Sequence, residues 1–304
     1  MAEVIGFIGL GNMGGPMARN LVKAGFAVRG FDTVPAARAA ATEGGVTVTE
    51  SAVEAVKGAG TVITMLPSGP IMLSVWKEVL PLLADGTLIV DCSTVDIESC
   101  RAAHALAADR GLAALDAPVS GGVGGATAGT LTFMAGGSTE AFARAMPFLQ
   151  AMGKNMTHCG DAGAGQAAKI CNNMILGISM IAVSEAFGLA DRLGLSRQAL
   201  FDVASKSSGQ CWSLTSYCPV PGPVPASPAN NGYKPGFAAA LMLKDLRLSQ
   251  AAAQGAGAET PLGQAATEIY ERMEELGFGS RDFSAVFEML TGAAPGTAPG
   301  TATA

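Results

Sequence analysis

The chain has 304 residues, a length that suits two domains at roughly 100 to 200 residues each, and 49% hydrophobic residues are ample for real cores. Nineteen Lys and Arg against twenty-five Asp and Glu give a net charge of −6, with 14% of residues charged. That balance argues against a grip on nucleic acid phosphates or on an anionic membrane. The two histidines, His104 and His158, exclude a three-histidine metal centre; no metal is expected, and any general acid or base should be another residue type. The six cysteines, at 92, 100, 159, 171, 211 and 218, include no pair with a two-residue gap, so they read as reduced, buried or half-buried thiols of a cytosolic protein. The chain enters MAEVIGFIGLG with no basic or long apolar leader, from which a cytoplasmic location is expected.

In chain order, Val4–Ile8 is a short apolar run followed by a glycine turn and a helical pattern through Met17, Leu21 and Val22, which reads as strand, turn, helix. Further strands are predicted at 28–31, 61–66, 88–92, 113–117 and 131–135, with helices at 52–57 and Ile97–Ala108 between them. The alternation implies right-handed crossovers and a mostly parallel sheet covered on both faces. The fold class expected is an α/β N-terminal domain over residues 1–162, an all-α C-terminal domain over 194–292, and a long helix between them within 163–193.

The periodicity predicts one helix over 164–191, then helices at 196–205, 237–255, 261–275 and 282–291. Its uncharged core, 170–183, contains Asn172 and Asn173 and is too short and polar for a membrane span of about 20 residues; it reads as a buried helix, with no membrane partner. Five prolines within 217–231 make a long helix or central strand improbable there. The stretch 293–304, without charge or large apolar side chains, is expected to be a disordered tail. An alanine-rich helical domain needs a neighbour to cover its apolar faces, so a homodimer or homotetramer is expected.

The most specific local feature is Gly9-Leu10-Gly11-Asn12-Met13-Gly14, after a strand and opening a helix. In that setting Gly9 allows the tight turn, Gly11 lets the backbone approach a pyrophosphate, and Gly14 permits close packing; the helix N-terminus favours the anion. Asp32, at the end of the second strand, is placed to accept from an adenosine ribose 2′-OH, and the next residue, Thr33, offers no charge for a 2′-phosphate. The cofactor expected is NAD rather than NADP. Leu66, Pro67 and Thr94 follow later strands at the sheet edge where ligands bind; each is a cofactor-contact candidate or simply a turn or helix-start residue.

For the reacting end, Ser120 with the N–H groups of Gly121 and Gly122 either cradles a carboxylate or forms an ordinary glycine turn. Lys169 and Asn173, four apart, project from one helix face. In so apolar a helix an ammonium is costly unless paired or lining a cleft, so Lys169 is either a catalytic acid/base or a solvated or interdomain lysine. Lys244, followed by Asp245, is a second cationic candidate or half of a surface ion pair.

Taken together, GLGNMG at 9–14 with its continuation GPMARNL, DAPVSGG at 116–122, and 163–173 with its KxxNN ending resemble the β-hydroxyacid dehydrogenase family. The likeness extends through Ser207-Ser208-Gly209, Cys211-Trp212, the 219–222 PVPG, Asn230-Asn231 and Lys244-Asp245-Leu246, and covers about residues 4–292. It implies a Rossmann-type first domain, a connecting helix, a helical domain serving substrate binding and dimerisation, and a site between the domains. It further implies Lys169 as general base in alcohol oxidation, Ser120, Gly121, Gly122 and Asn173 as substrate holders, Lys244 near the nicotinamide with Asp245 behind it, and Trp212 as an apolar wall, unless that tryptophan is a core residue. The substrate implied is a small 3-hydroxy carboxylic acid, with 3-hydroxyisobutyrate, oxidised to methylmalonate semialdehyde, ahead of L-serine and tartronate semialdehyde; a non-catalytic NAD-binding module is a remoter alternative. The decarboxylating phosphogluconate branch carries a glutamate seven residues after its lysine, where this chain has Leu176.

Overall fold

The structure, a computed structural model, describes residues 3–292; the expected tail lies outside the described residues. The chain divides into two compact units, the first ending at Lys169 and the second starting at Ile170. In the first, β1 (Val4–Ile8), α1 (Gly14–Lys23), β2 (Ala27–Phe31), α2 (Pro35–Glu43), β3 (Thr47–Val48), α3 (Ala52–Val56), β4 (Thr61–Thr64), α4 (Gly69–Val79), β5 (Leu88–Asp91), α5 (Ile97–Ala108) and β6 (Ala113–Asp116) alternate. They are followed by β7 (Val119–Ser120), α6 (Gly122–Ala128), β8 (Leu131–Gly137), α7 (Thr139–Met152), β9 (Gly153–Gly160) and the start of α8 (Ala164–Arg192).

The sheet runs β3-β2-β1-β4-β5-β6-β8-β7, with β9 beside β8. Pairing is parallel from β3 to β6, and β8 lies antiparallel to both β6 and β7. The strand order reverses between β1 and β4, the switch point outside which a doubly wound sheet binds its ligand. Apolar strands produce this arrangement because both faces are covered: Ile63, Leu88 and Val90 join Met17, Leu21 and Phe148 in one core, while Val62 and Ile89 join Met72, Trp76 and Ala103 in the other.

The α/β expectation is met, with shifts at the edges. The strands predicted to reach residues 66, 92 and 117 end at Thr64, Asp91 and Asp116; the residues beyond leave the ladder to line the sheet's C-terminal edge. Helices α2, α4, α6 and α7 and strands β3, β7 and β9 were not anticipated. Strand β9 (GKNMTHCG) pairs with β8 and is buried only at Gly153, so an edge position with no apolar alternation left no pattern to read.

The second unit holds the remainder of α8, then α9 (Arg197–Ala204), α10 (Trp212–Thr215), α11 (Ala239–Ala256), α12 (Pro261–Glu275) and α13 (Val286–Thr291). In α8, Met180 and Ile181 pack with Met242, Leu246, Tyr270 and Phe283, and Val183 and Phe187 with Leu214, Val220 and Phe287. At full length α8 is long and apolar enough to cross a membrane by length and composition, a test that a core helix also passes; as the buried-helix reading of 170–183 expected, its buried side chains form the heart of this unit. The helix predicted at 282–291 splits into a 3-10 turn and α13, because Asp282 accepts from the Ser284 N–H at 3.0 Å and starts a new cap. The proline segment is tied down: Ser227 donates to the Cys218 carbonyl at 2.6 Å and Tyr233 to that of Pro219 at 2.7 Å.

Candidate active site

The glycine loop joins β1 to α1. Gly9 takes a positive φ of 96°, and a side chain there would collide with the Met65 carbonyl. A side chain at Gly14 would strike the Gly9 carbonyl, whereas one at Gly11 would meet nothing within 4 Å; that opening is where a pyrophosphate can reach the backbone. Helix α1 starts at Met13 without a side-chain cap and with no acidic residue in its first turn, leaving its N–H groups and dipole to an anion. Asn12 is exposed beside Gly11. Asp32 is half-buried at the end of β2, where its Oδ2 accepts the Leu10 N–H at 2.7 Å and its Oδ1 that of Val34 at 2.8 Å. The carboxylate therefore braces the loop as well, and each oxygen keeps a second lone pair for a ribose hydroxyl. The Arg38 guanidinium donates to the Asp32 carbonyl at 2.7 Å, a cation the sequence reading missed by looking only at residue 33. These residues fit a nicotinamide dinucleotide.

At the ends of β4 and β5, the Leu66 N–H donates to Ser93 Oγ at 2.7 Å, so the loops bearing Leu66, Pro67 and the half-buried Thr94 are joined. Ser93 and Thr64 both donate to Asp91 Oδ1 at 2.6 Å. Burial pushes the Asp91 carboxyl up to about 6, against the pull of those two hydrogen bonds and with a further push from Asp116, its register partner on β6.

Ser120 ends β7, and Gly121 and Gly122 follow at φ 131° and 59°, conformations that bring successive N–H groups to the start of α6. Lys169 lies in the second turn of α8 and is buried, at 7% exposure, which removes the solvated-lysine reading. Cys171 is exposed, contrary to the expectation of buried thiols, because two residues along a helix turn the side chain to the opposite face.

In the second unit, Asn173, 1% exposed, donates its amide to Asp245 Oδ2 at 2.5 Å. Asp245 is itself buried and lies 3.4 Å from the half-buried Lys244 ammonium, so the pair is not one confined to the surface. Trp212 is 51% exposed, which excludes a core tryptophan; its ring stacks on Tyr217 at 4.9 Å, and Tyr217 stacks on Phe283 at 5.3 Å. The Tyr217 hydroxyl donates to Asp282 at 2.8 Å, and burial with that carboxylate pushes its phenol well up.

Three supporting residues were not singled out by the sequence reading: Asp91, Gln166 and Asp116 in its structural role. The available signal was a carboxylate closing each of two adjacent strands, at 91 and 116, and a glutamine three residues before the lysine.

A family model described as the NAD binding domain of 6-phosphogluconate dehydrogenase matches residues 4–160. A second, described as NAD-binding of NADP-dependent 3-hydroxyisobutyrate dehydrogenase, matches residues 163–290. A probable 3-hydroxyisobutyrate dehydrogenase of Mycobacterium tuberculosis is 52% identical over 94% of this chain and 97% of its own length. An NAD-dependent L-serine dehydrogenase of Pseudomonas aeruginosa is 46% identical over 94% and 97%. Among solved structures, a Mycobacterium tuberculosis 3-hydroxyisobutyrate dehydrogenase with L-serine superposes with a TM-score of 0.92 at 52% identity, covering 95% of this chain and 99% of that one.

Proposed function

This chain belongs to the β-hydroxyacid dehydrogenase family of nicotinamide-dependent oxidoreductases, and from that premise we propose that it oxidises 3-hydroxyisobutyrate to methylmalonate semialdehyde with Lys169 as the general base. The observation that carries this reading is Lys169 itself: a lysine 7% exposed in an apolar helix, one turn before a buried asparagine on the same face. An ammonium is tolerated in such a place only when pairing or hydrogen bonding offsets the desolvation, and a buried lysine is the kind recruited as a general base.

Ser120 and the N–H groups of Gly121 and Gly122 hold the substrate carboxylate, and Asn173 orients the carbinol, so that much of the rate comes from positioning. Lys169 takes the hydroxyl proton during oxidation and returns it in the reverse direction. The nicotinamide ring, when bound, supplies the two-electron acceptor for the carbinol carbon. The exposed indole of Trp212 offers an apolar wall to the substrate methyl. Gly9, Leu10, Gly11, Asn12, Met13 and Gly14 receive the pyrophosphate, Asp32 the adenosine ribose, and Leu66, Pro67, Thr94 and Lys244 the nicotinamide half.

NAD is the preferred dinucleotide because the half-buried Asp32 carboxylate repels a 2′-phosphate, with Arg38 spent on the Asp32 carbonyl. A homo-oligomer is supported by exposed apolar side chains on the helical unit, among them Ile175, Leu189, Leu193 and Leu262, which a neighbouring copy would cover. L-serine oxidation is the second reading, favoured by the relative named for it and by the affinity of an indole face for an ammonium. An initial-rate panel of 3-hydroxyisobutyrate, L-serine, D-glycerate and 3-hydroxypropionate with NAD and NADP decides among them. The highest kcat/KM is expected for 3-hydroxyisobutyrate with NAD; a higher value for L-serine would replace the substrate assignment.

A further inference from the structure

The first turn of α8 is held to the sheet by a set of contacts that leaves it little freedom. Asp116, at the end of β6 and 1% exposed, accepts the Gly163 N–H on Oδ1 at 2.9 Å and the Gln166 N–H on Oδ2 at 3.0 Å, so it caps the helix from a neighbouring strand. The Gln166 side chain, wholly buried, accepts the Val95 N–H at 3.1 Å and donates to the Ser93 carbonyl at 2.7 Å. One amide thereby satisfies both a donor and an acceptor of the loop that carries Thr94. The fit is close: a Cβ at Gly165 would collide with the Met134 carbonyl oxygen and stand 2.7 Å from Asp116 Oδ2. His104 Nε2 lies 3.0 Å from Asp116 Oδ1, and the Cys100 thiol, kept protonated by burial, faces the same carboxylate.

Cys100, His104 and Asp116 bring their ligand atoms within 4.8 Å of one another, a spacing at which a transition metal can be considered. The Asp116 oxygens, however, are already engaged by the two helix N–H groups as well as the imidazole. The arrangement favours an anchoring carboxylate surrounded by donors over an ion site.

We propose that Gln166, seated by Asp116, is a positioning residue that sets the axial and rotational register of Lys169 relative to the 93–95 loop. Lys169 follows Gln166 by three residues, about 4.5 Å along the helix axis and near the same face, so any slip of the first turn moves the ammonium with it. A misplacement of about 1 Å at a reacting group can cost about 10²-fold in rate. This inference rests on Lys169 being the base.

The test uses the full chain carrying Gln166→Ala, Lys169→Ala and both together, read by kcat and KM with 3-hydroxyisobutyrate, NAD affinity by fluorescence, and hydrogen exchange of the peptide spanning the start of α8. Gln166→Ala is expected to lower kcat about 10²-fold with KM and NAD affinity changed less than about threefold. It should speed exchange in the first turn of α8, and it should cost nothing further in the Lys169→Ala background. Gln166→Glu, of the same size but with an acceptor against the Ser93 carbonyl, is the second variant should alanine fail to fold, and the same kcat-selective loss is expected. A wild-type kcat in a folded Gln166 variant, or an equal loss with and without Lys169, overturns the positioning role while leaving the base assignment standing. Normal turnover by Lys169→Ala overturns the base assignment and the positioning role together, even where exchange still reports a loosened turn.

Discussion

The two units hold their candidate site residues in place by different physical means. In the α/β unit, Gly9, Gly11, Gly14, Ser120, Gly121 and Gly122 are placed by main-chain geometry at the ends of strands: a positive φ, a turn, or an approach too close for any Cβ. In the helical unit, Asn173 and Trp212 are placed by other side chains, Asp245 in one case and the Tyr217–Phe283 stack in the other. Main-chain placement is shared among many hydrogen bonds and survives single truncations. Side-chain placement depends on one or two partners and does not. Substitutions around these strand-end positions of the first unit should therefore change chemistry without moving neighbours, whereas those in the second, like Gln166 at the start of α8 in the first, should be felt by the residue next door.

The sharpest check is Lys169→Ala, expected to lower kcat by about 10²- to 10⁴-fold with thermal stability and NAD affinity near wild type. A variant that unfolded instead would show that the buried lysine is structural.

Next is Asp91→Asn. Its folded carboxyl is raised to about 6, so the folded chain keeps a proton over a window where the unfolded chain has lost it; stability from this group falls as pH rises from about 4 and levels off above about 6. Asparagine keeps an oxygen to accept from Thr64 and Ser93, and urea unfolding should show the variant equal to wild type near pH 4 and more stable by up to about 3 kcal/mol above pH 7. An advantage independent of pH would break the assignment.

In the helical unit, Asp245→Ala strips the buried Asn173 amide of its acceptor. A loss of about 1–3 kcal/mol in stability, together with a raised KM for the hydroxy acid, is expected from denaturant curves and initial rates. An unchanged KM would mean that Asn173 keeps its place without help. The smallest effect is expected from Tyr217→Phe, which keeps the ring stack but removes the bond to Asp282. It should cost about 1 kcal/mol and shift tryptophan emission only slightly, whereas a large emission change would show that the hydroxyl, rather than the stack, holds Trp212.

Much of the α/β unit was legible because its constraints act over a few residues. A glycine needed at a tight turn, an apolar strand before it and an acid after the next strand leave a local pattern, and so the dinucleotide loop and Asp32 could be read directly. The KxxNN spacing placed Lys169 and Asn173 on one face for the same reason. Strand β9 escaped because an edge strand with little burial carries no apolar period, and Arg38 because its relation to Asp32 comes from the turn into α2. Gln166 and the structural role of Asp116 were invisible for a stronger reason: their partners lie 47 to 73 residues away, and nothing in a linear pattern pairs them.

The sequence by itself determined the α/β class of the first unit and the helical class of the second, the glycine loop after the first strand, a lysine in place of a histidine as the candidate proton-transfer group, and the family to which the chain belongs, since periodicity, turn chemistry and motif spacing are local properties. Only the tertiary structure decided that Lys169 is buried, that Trp212 is exposed on an aromatic stack, that Asp91 is held as a raised carboxyl, and that the start of α8 is pinned through Asp116 and Gln166. Burial, desolvation and hydrogen-bond partnership arise from residues brought together across the fold, and they exist only once the chain has closed on itself.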